Sequence, residues 1–247
     1  MTITGTKYAE YPKARMKVIH EEKDINALSH LSAQEKALAK KNLPKVWPSD
    51  GMYMMGNDPE LQVAFSLSER AAEALLAPDS QMFPYTTMNL ICAVTARLTK
   101  CEWFMHGWTV VTSAAVNAWE GEDVGRDQHY FQLGMLEFPD AKCWSAEQSL
   151  TIRFNEACLE YRMTDELYNE AKEMWGEKKL LRIIYFIGFV QTTLMMVNAV
   201  NIKGDYGTEP IFWTQFNTDS HKAQMKMNAD CWEAQMELWN SIPPLNV

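Results

Sequence analysis

The sequence predicts an all-α protein. Segments with period-two alternation of β-branched residues are scarce, apolar residues recur repeatedly at spacings of three and four, and helix-start chemistry stands ahead of those recurrences. With 247 residues, of which 47% are hydrophobic and 22% charged, the chain has enough apolar material for one sizeable core, which excludes wholesale disorder.

The elements follow in order. Ser32-Ala33-Gln34-Glu35 has capping-box spacing for a helix that stops before Pro44, and Asp58-Pro59 places an N-cap ahead of Pro at the first helical position. Between them, three Pro and two Gly break every periodic pattern over residues 41–59, so a loop is expected there. The helix from Asp58 should reach about Leu76, before Pro78. A second begins after Pro84, where Ile91, Val94, Leu98, Cys101, Met105 and Trp108 form one apolar stripe. Ser145-Ala146-Glu147-Gln148 is another capping box, and Thr164 precedes the acidic pair Asp165-Glu166 that suits the positive end of a helix dipole. Gly176 interrupts, and Lys178 to Val200 is then the most hydrophobic helix. Ile183 to Val200 is uncharged over about a membrane-span length, but Tyr185, Gln191, Thr192, Thr193 and Asn198 within it point to a buried helix.

Gly204, Gly207 and Pro210 end the core in a loop. Beyond it Met225, Ala229, Trp232, Met236 and Trp239 alternate in steps of four and three until Pro243-Pro244, the pattern of an amphipathic helix that packs on the core or on a neighbouring subunit. The expected organisation is an N-terminal extension over 1–58, a helical core over 59–203 and a C-terminal loop and helix over 204–247.

Charge and motifs narrow the function classes. Twenty-three basic against thirty-two acidic residues leave a net charge of −9, which opposes phosphate neutralisation and makes nucleic acid an unexpected partner. Five Cys with no C-x-x-C, and no apolar run near the start long enough for a signal peptide, lead to an expectation of reduced thiols and a cytoplasmic location. Phosphate loops, nucleotide fingerprints and G-x-S-x-G elbows are absent, and no clustered His/Cys pattern calls for a metal. Neither a cofactor nor a metal is therefore expected.

The chemistry that stands out is Glu102 four residues before His106, which puts a carboxylate and an imidazole on one helix face. A carboxylate that accepts one ring N–H fixes the tautomer and raises the basicity of the other nitrogen, so His106 can serve as an acid or base near neutral pH; the same spacing also describes a solvated surface pair. His129, in Arg126-Asp127-Gln128-His129-Tyr130, is a second candidate for the same pocket.

Glu102-Trp103-x-x-His106 resembles the E-W-x-x-H motif of carboxymuconolactone decarboxylase-like proteins, which share a helical fold with the alkyl hydroperoxide reductase D-type peroxidases. Residues 89–99 are similar to the apolar helix leading into that motif, and Ala118-Trp119-Glu120-Gly121 to the helix end after it. Phe138-Pro139-Asp140, Ser145 to Glu156, Met163 to Leu167 and Ile187-Gly188-Phe189 resemble the second half, so the likeness runs over roughly 60–202. The peroxidase branch's C-x-x-C is missing, and Asn89 stands where its relay Glu falls. The resemblance therefore implies a cofactor-independent lyase or isomerase acting on a small carboxylated lactone or related ring, with His106 moving a proton and Glu102 orienting it. Trp103 and Cys101 would line the site and Arg97 would bind a substrate carboxylate. It also implies a homo-oligomer, a trimer or a trimer pair, with no membrane role. A thiol peroxidase using Cys101 and a non-catalytic binding or interaction protein are the alternatives.

Overall fold

A computed structural model describes residues 14–45, 50–76, 85–104 and 134–202, together with 237, 240 and 241. The described residues form helices and no strand: α1 (Glu22–Asn26), α2 (Ala33–Asn42), α3 (Asp50–Met54), α4 (Pro59–Leu76), α5 (Tyr85–Thr99), α6 (Ala146–Leu159) and α7 (Asp165–Val200), with 3-10 turns at Leu43–Lys45 and Met55–Asn57. The expected all-α class is therefore observed.

The helix starts lie where side-chain chemistry puts them. Ser32 Oγ accepts the Glu35 N–H at 3.2 Å while Glu35 accepts the Ser32 N–H at 2.6 Å. Ser145 and Gln148 repeat that box at 3.2 and 2.9 Å. Asp58 caps α4 by accepting from Leu61 N–H at 3.0 Å, and Thr164 caps α7 by accepting from Leu167 N–H at 3.3 Å. Each bond satisfies a donor that the first helical turn leaves without a partner.

α5, α6 and α7 pack on one another, and α4 lies against α7 and α2. The seam on α7 is Leu180, Ile183, Ile187, Val190, Leu194 and Val197, all buried at alternating spacings of three and four. Each such side chain contributes roughly 1.5–3 kcal/mol by leaving water. Phe65 from α4, Ile91, Cys92 and Ala96 from α5, and Leu150 and Phe154 from α6 fill the space against this seam. Between α5 and α6, Asn155 is fully buried and donates to Ile91 O at 2.9 Å and to Thr95 Oγ1 at 3.2 Å.

Three expectations are corrected. The segment around residues 50–57 is not a loop: α3 and the following 3-10 turn bury Asp50, Gly51, Met52, Met54 and Met55, and these methionines belong to the main core. Pro44, Pro48 and Pro59 on either side of this segment, and Gly51 and Gly56 within it, break long helices but permit short ones. The apolar stripe from Ile91 to Trp108 is not carried by one helix, because α5 ends at Thr99 and Lys100 turns left-handed at φ 53°. And Lys178 to Val200 is not buried all round: Leu181, Ile184, Tyr185 and Met195 are exposed opposite the buried seam. By length and composition α7 could cross a membrane, a property it shares with core helices of this amphipathic kind.

The N-terminal residues join the same body. Arg15 donates its N–H to Val200 O at 2.7 Å and its guanidinium to Ala199 O at 2.8 Å, so it closes the end of α7. Ile19, Ile25, Leu28, Leu31 and Ala39 form a small core of their own beside it.

Candidate functional site

The site proposed from sequence lies just after α5. Lys100 N–H donates to Arg97 O at 3.2 Å and Cys101 N–H to Ala96 O at 2.9 Å, the paired bonds of a Schellman stop with Lys100 in the left-handed position. Asn198 of α7 reaches across and donates to Thr99 O at 2.8 Å, so another orphan carbonyl of this helix end is satisfied from a distant element. A new helical turn then begins at residues 102–104.

Glu102 opens that turn and is exposed, whereas Cys101, Trp103 and Phe104 on either side of it are buried. The Trp103 ring lies 5.5 Å from that of Phe104 and sits against Gly51 of α3. A Cβ added to Gly51 would sit 3.1 Å from Trp103 Cη2 and 3.3 Å from Val197 Cγ2, so the absent side chain is what lets the indole in. Trp103, expected to line a substrate pocket, is therefore a core anchor that fixes where Glu102 emerges. Cys101 is fully buried. Its thiol is a packing group here, in contrast to the accessible thiolate that attack on a peroxide requires. His106 and His129 lie outside the described residues.

Arg97, expected as an anchor for a substrate carboxylate, is committed elsewhere. Its Nη2 pairs with Glu156 Oε1 and its Nη1 stands 4.0 Å from Glu137 Oε1, while Arg162 Nη2 approaches the other Glu156 oxygen at 3.4 Å. This cluster ties α5 to α6 and to the chain on either side of α6. A substrate carboxylate would have to displace Glu156 to use Arg97.

Sequence reading missed one pairing. His20 Nε2 lies 3.4 Å from Asp50 Oδ1, and the imidazole meets the edge of the Tyr53 ring at 5.3 Å. The Asp50 side chain is 4% exposed and that of His20 is 32% exposed, so a buried carboxylate holds a half-open imidazole. Beside it, Asn42 donates to Gln62 Oε1 at 3.1 Å and Gln62 donates to Met52 O at 2.9 Å, both inside the protein. Thirty positions separate His20 from Asp50, and no local motif joins them.

Cys158 has its thiol pushed up to about 11 by burial, which keeps it protonated at neutral pH. No family model, curated protein or solved structure matches this chain. The functional reading therefore rests on its own residues.

Proposed function

We propose that the chain is a cofactor-independent lyase or isomerase of the carboxymuconolactone decarboxylase-like kind, acting on a small carboxylated lactone or related cyclic compound. His106 transfers a proton to or from an enolate carbon or oxygen, and Glu102 holds the imidazole and stabilises its charged form. The reading includes a cytoplasmic homo-oligomer, a trimer or trimer pair, that needs only the small molecule as partner.

The observation that supports it is the break at Lys100. α5 stops there and a fresh helical turn starts at 102, so the break precedes Glu102 and does not fall between it and position 106 in the sequence. Trp103, buried against Gly51, fixes the direction in which Glu102 leaves the core. Glu102 is exposed in the single chain, which fits a site that a neighbouring subunit closes.

The test combines ligand screening with mutation. A thermal-shift panel of lactones, aromatic acids and cyclic ketones should contain at least one compound that raises Tm, since a ligand that prefers the native state stabilises it. With that compound as substrate, His106→Ala should lose roughly 10²–10⁴-fold in kcat, the usual contribution of a positioned acid or base. Glu102→Gln should shift the pH profile, and Cys101→Ser should leave turnover in place. A silent panel, or full turnover by His106→Ala, overturns the reading.

Exposure of Glu102 also favours a second reading, a helical binding or interaction protein without catalysis. Under it, Glu102→Gln and His106→Ala retain the wild-type ligand response. The thiol-peroxidase alternative draws no support from a Cys101 that is fully buried.

A further inference from the structure

We draw no further inference here: the strongest candidate, the exposed apolar face of α7 at Leu181, Tyr185 and Met195, carries nothing because nothing among the described residues shows what covers it.

Discussion

Three residues stop three helices in the same unusual way. Lys100, Tyr161 and Asn201 adopt φ values of 53°, 54° and 62°, and behind each the chain makes the i−5 bond of a Schellman stop: Cys101 to Ala96, Arg162 to Ala157 and Ile202 to Val197. Glycine is the ordinary occupant of that position, because a Cβ costs roughly 1–2 kcal/mol in left-handed backbone. Lys100→Gly should therefore stabilise the protein by about 0.5–1 kcal/mol after the added freedom of the unfolded chain is offset, and Lys100→Val should destabilise it. Urea midpoints at fixed slope measure both.

Asp24 gives a pH-dependent prediction at the same scale. Burial works to raise its carboxyl, but the Lys17 ammonium at 2.9 Å and the N–H groups of His20 and Glu21 outweigh that and hold it below the usual carboxylate range. A lowered folded value means the stabilisation is complete above the unfolded value near about 4 and disappears as pH falls through the lower folded one. Asp24→Asn should thus be less stable than wild type at neutral pH, and the gap should close on acidification. Urea unfolding at several pH values between about 6 and 3 reads it; a gap that stays constant would contradict the assignment.

At the scale of elements, α7 is two helical pieces joined at Gly176, whose backbone sits at φ 72° and ψ 161°. That region is accessible almost only to glycine, and nothing lies within 4 Å of a Cβ built there, so the constraint is backbone rather than packing. Gly176→Ala should cost about 1–3 kcal/mol, readable as a lowered Tm. Gly51 in α3 presents the opposite case, a helical backbone with no room. Gly51→Ala pushes a methyl to 3.1 Å from the Trp103 ring, so either the indole or α3 must shift. The expected loss is about 1–3 kcal/mol, and a change in Trp103 fluorescence should accompany it. An unchanged spectrum and stability would place the indole elsewhere.

Across the whole molecule, distant contacts bind the bundle. Asn155 bridges α6 to α5 inside the core, Asn198 bridges α7 to the end of α5, and Arg15 closes α7 from the N-terminal side. Asn155→Leu removes the donor to Ile91 O and Thr95 Oγ1, and should destabilise by roughly 1–3 kcal/mol, the usual penalty for buried polar groups left unmade. Chemical denaturation reads the loss, and a neutral result would show that the bonds are replaced.

What was legible from residues alone follows a physical division. Helix starts at Ser32, Asp58, Ser145 and Thr164 were readable because a capping side chain bonds its own backbone within three residues. The kink at Gly176 was readable because glycine alone tolerates its backbone. The ends of α5, α6 and α7 carried no such mark, since Lys, Tyr and Asn stand where glycine usually does, and the rest of each stop is supplied by packing. Long-range pairing was equally silent: the partners of Arg97, the His20–Asp50 contact, the burial of residues 50–57 and the open face of α7 each depend on side chains tens of positions away. Local backbone bonding speaks through neighbouring residues, whereas the choice of which surfaces and charges meet belongs to the folded chain.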